Sequence, residues 1–376
     1  PLFPGDENLN PDFNFYKLKQ YVIYGNATGH IDIRGKADYP NLYGNVLLSD
    51  VYLIEPIKDT PKNGTIKISL NQHSMKLNAH VLTSPTEFVD VDGTFKLFRN
   101  RYTDLYIKST SKIDFIKAYK VVMPLHEILK FELGPVPMMN IYGGTGSADI
   151  HITGSKTEPH SWGKITFNNG IASFKTINNM VAKGISGQVN FDDTDVNFKT
   201  TSTYLNNLPV NIDGTCNLKG DLSVNVNGDG QNSKDLLNII NTSPILAELQ
   251  QMLAPIKTAN GKTKIFLNIF GHVNRGQEPV FNKDLFAKGS IEFISNNMTF
   301  FAQKIPATNI SGLVHFNRED GDFNIKANLI NSPISANGVI KKDIVTSNVV
   351  SHKFIASDGI KIAQLLYGNK VPSLPG

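Results

Sequence analysis

Ser186-Gly187-Gln188-Val189-Asn190-Phe191-Asp192-Asp193-Thr194-Asp195-Val196-Asn197-Phe198-Lys199 is the stretch on which the fold turns. Val189 and Phe191 alternate with Gln188 and Asn190; Val196 and Phe198 alternate with Asp195, Asn197 and Lys199. Successive side chains of an extended chain point to opposite faces, so this pattern predicts two half-buried strands. Asp192-Asp193-Thr194 between them tolerates the positive φ of a tight turn, which makes the pair a hairpin.

The same alternation continues on both sides. Upstream it places Ile150 and Ile152, then Ile165 and Phe167, then Phe174 on one face, with Asp149, His151, Lys164 and Thr166 on the other. Downstream it places Val210 and Ile212, then Leu222 and Val224, opposite Asn211, Asp213, Ser223 and Asn225. Asn168-Asn169-Gly170, Asn206-Asn207 and Asp213-Gly214 read as the intervening turns.

The pattern then repeats. Ser186–Phe191 returns as Ser311-Gly312-Leu313-Val314-His315-Phe316, and Gly163-Lys164-Ile165-Thr166-Phe167 returns as Gly289-Ser290-Ile291-Glu292-Phe293. Phe300, Phe323, Ile325 and Ile340 continue the apolar face of this later copy. A looser copy lies upstream, where Gly44 leads Asn45-Val46-Leu47-Leu48 and Gly64 leads Thr65-Ile66-Lys67-Ile68. Unit starts recur at Gly25, Gly144 and Gly261. The division expected is the end of a preceding repeat at 1–24, then units at 25–143, 144–260 and 261–376, forming one continuous array.

Each unit closes on a change of period. Residues 111–131, 233–253 and 357–367 carry apolar side chains at spacings of three and four, which predicts amphipathic helices with Ser111, Ser233 and Ser357 as N-caps. Pro124 and Pro244 are expected to kink or split the first two helices. The expected fold is therefore mainly β with a few helices: an elongated, curled antiparallel meander of about 24 short strands, roughly 100 Å long at the ordinary strand spacing, with one amphipathic helix per repeat. In the first unit, Asp50-Val51-Tyr52-Leu53-Ile54-Glu55-Pro56 replaces the neat hairpin.

Composition narrows the function. The chain has 376 residues, a net charge of +4 and a single cysteine, Cys216. No disulfide can form within it. The basic residues are dispersed and lack interleaved aromatics, so nucleic acid is not an expected partner. No apolar run reaches the about 18 residues of a membrane span, and the ends look like an excerpt of a longer repeat protein cut at unit borders. Neither a cofactor nor a metal is expected: the nine histidines form no close ligand pair, and Asp192-Asp193-Thr194-Asp195 lacks the Gly and terminal Glu of a calcium loop. The glycine-rich 143–146 opens a strand rather than a helix, which argues against a phosphate cradle. No nucleophile elbow occurs, and Cys216 has no evident His or Lys partner. An enzyme is not the expected class.

What is both extensive and repeated is the apolar strand face. In an open, curled sheet it would line a trough suited to acyl chains, since each buried methylene is worth about 0.8 kcal/mol without directional demand. In a closed sandwich it would be dry core.

The phrases Gly163–Phe167, Ile185–Phe191 and Leu205–Gly214, with the copy running from Gly289 through Ile310-Ser311-Gly312 to Pro333-Ile334-Ser335-Ala336-Asn337-Gly338, resemble the AsmA-like superfamily of bacterial envelope proteins, which includes the TamB and YhdP types. The helix after each strand set is closer to the AsmA and YhdP type. The resemblance implies a repeating β-groove with a greasy interior, inner-membrane anchoring through a segment outside this chain, a periplasmic location, and passage of phospholipid toward the outer membrane. It implies no catalytic residue. The groove residues it implies are the alternating apolar positions named above. Two other functions compete: assembly of an outer-membrane protein by strand-edge pairing, and a structural scaffold with a closed core.

Overall fold

A computed structural model describes residues 23–53, 63–97, 102–116, 139–155, 158–174, 180–205, 208–217, 219–243, 246–273, 280, 283–301, 305–342 and 344–368. They form one sheet of 20 strands and three helices. The first part of the sheet comprises β1 (Ile23–Lys36), β2 (Tyr39–Leu53), β3 (Gly64–Gln72), β4 (Ser74–Leu82), β5 (Phe88–Lys96), β6 (Thr103–Ser109) and β7 (Ile113–Asp114). The middle comprises β8 (Met139–Gly154), β9 (Pro159–Phe174), β10 (Met180–Asp193), β11 (Asp195–Leu205), β12 (Leu208–Pro209), β13 (Asn211–Asn217) and β14 (Asp221–Asn232). The last part comprises β15 (Ile256–His272), β16 (Leu285–Phe300), β17 (Ile305–Asn317), β18 (Asp320–Leu329), β19 (Ser332–Lys341) and β20 (Ile344–Val350). The helices are α1 (Ser233–Thr242) and α2 (Ala247–Leu253), between β14 and β15, and α3 (Ala356–Tyr367), after β20.

Pairing is antiparallel throughout and follows chain order, the pattern that short hairpin links impose. β6 and β7 both pair with β8, and β12 and β13 both pair with β11. β1 and β20 do not pair with each other, so the sheet is open rather than closed into a barrel. It runs without a break through residues 143–144, inside β8, and 260–261, inside β15.

Among the described residues the strands are longer than the sequence predicts, for an identifiable reason. Asn168-Asn169-Gly170 is not a turn but lies inside β9, where Asn169 takes φ +52° at a shift of register against β10. Asp213-Gly214 also lies inside a strand, β13, in unbroken register with β11 and β14. Comparable shifts occur in β2 near Asp50 (φ +53°), in β16 near Ser295 (φ +53°) and in β17 near Asn309 (φ +53°). These are β-bulges, which use residues tolerant of positive φ, as turns do, but bend a strand instead of ending it. Bulges recurring in long strands curl the sheet so that one face becomes concave.

The helices also depart from expectation in detail. Asn232, not Ser233, caps α1, its side chain accepting from the Lys234 N–H at 2.9 Å. Ser111 precedes the short strand β7, which rejoins the sheet against β8; Pro124 and most of the helix predicted there lie outside the described residues. α3 starts at Ala356, where the Ile355 N–H donates to Ser332 Oγ across the fold (2.9 Å), so Ser357 is inside the helix. The second helix does divide, between Thr242 and Ala247, around residues 244–245, which lie outside the described set.

Two apolar clusters occupy the concave face. One joins β2–β7 through Val51, Leu77, Val81, Val91, Leu105 and Ile113. In the other, Leu236, Ile239 and Ile240 of α1, with Leu249 and Leu253 of α2, pack onto Ile265, Ile291, Val314 and Phe316 of β15–β17.

Candidate functional site: the concave apolar face

The strand register shows how the face is built. Ala27, Leu48, Ile66, Ala79, Val91, Ile107 and Ile150 stand opposite one another from β1 to β8. The same row continues as Gly163, Phe191, Val196, Cys216, Leu222, Gly271 and Leu285 from β9 to β16. No ionisable carboxylate, amine or imidazole interrupts it. A second row runs Ala148, Ile165, Val189, Phe198, Gly214, Val224, Ile269 and Ala287. A third takes over toward β20 as Ile212, Val226, Leu267, Gly289, Phe316, Gly321 and Ile340.

The recurring Gly-x-Ile/Val-x-Phe phrase acquires a structural meaning here. Its two copies in the middle unit pair antiparallel, so that Gly163 faces Phe191, Ile165 faces Val189 and Phe167 faces Gly187. In the later unit Gly289 faces Phe316, Ile291 faces Val314 and Phe293 faces Gly312. Phe198 opposite Gly214 and Phe323 opposite Gly338 follow the same rule. In three of these pairs the ring lies over the glycine itself: a Cβ on Gly214 would meet Phe198 Cζ at 2.6 Å, one on Gly338 would meet Phe323 Cζ at 2.7 Å and one on Gly289 would meet Phe316 Cζ at 2.9 Å. Aromatic cover of cross-strand glycines pins register and keeps the concave surface smooth. The mirrored Gly and Phe positions of the phrase are compatible with this facing, but only the register of the two strands fixes it.

The face is not equally accessible along its length. Ile165, Phe167, Val189, Phe191, Val196, Phe198, Ile212, Leu222 and Val224 are all half-buried, forming an open stretch over β9–β14. Ile150 and Ile152, just before it, are buried. Ile291 (0% exposed), Phe293, Val314 and Phe316 are buried where α1 and α2 fill the concavity, and Phe300, Phe323 and Ile325 pack against the same cluster. Ile340 is buried beyond the cluster. Val210 lies between β12 and β13, buried, its N–H donating to the Thr203 carbonyl (2.8 Å). Phe174 ends β9, with its side chain outside the described set.

The convex face carries polar residues, including repeated His–Asp pairs. His80 Nδ1 meets Asp90 at 2.6 Å, His151 Nε2 meets Asp104 at 2.7 Å, His272 Nδ1 meets Asp221 at 2.9 Å and His315 Nδ1 meets Asp322 at 3.0 Å. His272, then Asn217, hold the Asp221 carboxyl below the ordinary carboxylate range. These pairs bridge different strands, a stitching role. Burial pushes the Cys216 thiol up, and Asp195 adds to the rise, so it is not a poised thiolate. Among the described residues, no group of three or more His, Cys, Asp or Glu side chains could hold a metal ion, and no helix is long and apolar enough to cross a membrane.

Compared with family models, curated proteins and solved structures, the chain matches none.

Proposed function

We propose that this protein is a non-enzymatic lipid conduit of the bacterial envelope, in which phospholipid acyl chains occupy the concave face on their way between the inner and outer membranes. The observation that carries the reading is the apolar row from Ala27 to Leu285, unbroken by any ionised side chain from β1 to β16. A surface that only filled a core would need a second layer along its whole length; over β9–β14 the lining is only half-buried. Acyl chains suit such a surface because they ask for area and not direction, at about 25 cal/mol per Å² of apolar surface withdrawn from water. In this reading tails occupy the β9–β14 stretch with head groups at its open side, and α1 and α2 close the path over β15–β17.

The test is site-specific photo-crosslinking in cells at Phe191 and at its neighbour Asn190, which points to the other face. Capture of phospholipid at Phe191 alone supports the conduit. Crosslinks from Phe191 only to its own chain identify a closed core and overturn it.

One observation favours a second reading, pairing with a client strand. β20 is exposed at every residue, with Ile344, Val345 and Val349 at 70%, 60% and 57%. An apolar edge of this kind templates further pairing. Proline substitutions along β20 that abolish outer-membrane protein assembly while sparing lipid passage would favour it.

A further inference from the structure

The convex side of the sheet carries one concave site of a different kind, on the rim where three successive hairpins end. Phe270, Phe286, Lys288, Asn317, Arg318, Glu319, Asp320 and Lys342 surround an open cavity of about 660 Å³. Phe270 and Phe286 face each other across β15 and β16, their ring centroids 6.0 Å apart and tilted by 37°. The Arg318 guanidinium lies 3.8 Å from the Phe286 centroid and 5.9 Å from that of Phe270, and Lys288 Nζ lies 5.1 Å from the Phe270 centroid. These distances are within the range of cation–π attraction.

The backbone holds the site open. The Arg318 N–H donates to the Ala287 carbonyl (3.0 Å), fixing the β17–β18 turn to β16. The Lys342 N–H donates to the Glu319 carbonyl (3.1 Å), fixing the β19–β20 turn to the β17–β18 turn. Arg318 and Lys342 both sit at left-handed φ, +56° and +50°, where Gly or Asn is the easier choice. Two long cations at such positions place their charges together at the cost of local backbone preference.

The charges of Lys288 and Arg318 rest on aromatic rings rather than on carboxylates. Among the described residues none of Lys288, Arg318 and Lys342 lies within ion-pair distance of a carboxylate, in contrast to Arg34 and Lys264 elsewhere on the sheet. A guanidinium stacked on a ring keeps its in-plane N–H groups free, and that fork matches phosphate oxygens. Glu319 and Asp320 supply the opposite charge on the same wall.

We propose that this rim cavity binds an aminoalkyl phosphate, with Arg318, Lys288 and Lys342 taking the phosphoryl oxygens, Glu319 and Asp320 the ammonium, and the two phenylalanine rings packing the carbon linker. The chemistry is shared by a soluble phosphate ester and by the head group of a zwitterionic lipid. The proposal stands apart from the use of the concave face, because recognition requires no acyl chain.

The test titrates the whole chain with O-phosphoethanolamine at low ionic strength, following amide chemical shifts, with inorganic phosphate and ethanolamine as comparators. Saturable shifts at the β15–β16 and β17–β18 ends are expected with O-phosphoethanolamine, weaker ones with inorganic phosphate, and none with ethanolamine. Arg318→Gln and Lys288→Gln should each weaken binding about tenfold or more, while Lys164→Gln, elsewhere on the convex face, should not. Because Arg318 sits in a turn, Lys288→Gln on a strand keeps the test meaningful if the turn alters. No saturable binding, or equal binding by these variants, overturns the site. Equal binding of inorganic phosphate and O-phosphoethanolamine overturns the role given to the two acids. Vesicles containing phosphatidylethanolamine then separate the sources: retention of the protein that depends on Arg318 and Lys288 identifies the lipid head group, and binding of the free ester without retention identifies the soluble ester.

Discussion

At the scale of the residue, the decisive device is a phenylalanine over a glycine. The ring needs a partner strand with nothing in its way, and a facing glycine supplies it, as Gly214–Phe198, Gly289–Phe316 and Gly338–Phe323 show. Gly163 (φ +114°) and Gly312 (φ +145°) also hold backbone conformations that side chains resist. Gly214→Val is therefore expected to destabilise the sheet by about 1–3 kcal/mol through overpacking. Part of that loss comes from Phe198 and part from the neighbouring backbone, so Phe198→Ala in the Gly214→Val background should recover some of it. A double-mutant cycle by chemical denaturation measures the coupling; additive losses would mean the ring does not rest on the glycine. The alternating positions were legible in the sequence because period two is imposed by strand geometry itself. The facing of Phe by Gly was not, because register belongs to two strands at once.

At the scale of the element, the sequence distinguished strand from helix but not turn from bulge. Asn168-Asn169-Gly170 and Asp192-Asp193-Thr194 share the same tolerance of positive φ, yet one bends β9 and the other ends β10. Only the long-range pairing with β8 and β10 decides between them. The third helix shows another device that composition hides. Asp358 of α3 is buried (1% exposed) and accepts from the Asn331 backbone N–H (3.0 Å), Asn331 Nδ2 (3.3 Å) and Ser332 Oγ (2.9 Å). Burial alone would raise this carboxyl, but the bonds from Ser332 and Asn331 outweigh it, and its proton affinity is held below the ordinary value. A carboxylate with a depressed folded-state pKa contributes stability that is complete above its unfolded value, about 3.9, and is lost as pH falls through the lower folded value. Docking of α3 should therefore persist at pH 5 and weaken only as pH falls below the ordinary carboxylate range. Asp358→Asn should remove that dependence and raise amide exchange in α3 already at neutral pH. Unchanged protection in the variant would show that the apolar side of α3, not Asp358, holds the helix.

At the scale of the whole molecule, one apolar face serves two ends, filled over β15–β17 by α1 and α2 and half-open over β9–β14. The sequence disclosed the face and the helices but not where the helices lie, since nothing in an amphipathic stripe says which strands it covers. That division sets a comparison between two phenylalanines of the same phrase family. Phe316 is 4% exposed among α1, α2 and β15–β18, whereas Phe198 is half-buried on the open stretch. A carboxylate placed at Phe316 loses its water and finds no partner, so Phe316→Glu should cost several kcal/mol, enough to unfold the last unit. Phe198→Glu keeps access to solvent and should cost far less, about 1–2 kcal/mol, mostly from lost cross-strand packing on Gly214. Thermal denaturation of the two variants measures the difference directly. If the concave face is open over β9–β14, Phe198→Glu stays folded near the parent midpoint and is the right variant in which to look for blocked lipid passage. Equal, large losses at both positions would mean that a second layer covers β9–β14 as tightly as the helices cover β15–β17, and a path for acyl chains there would have no room.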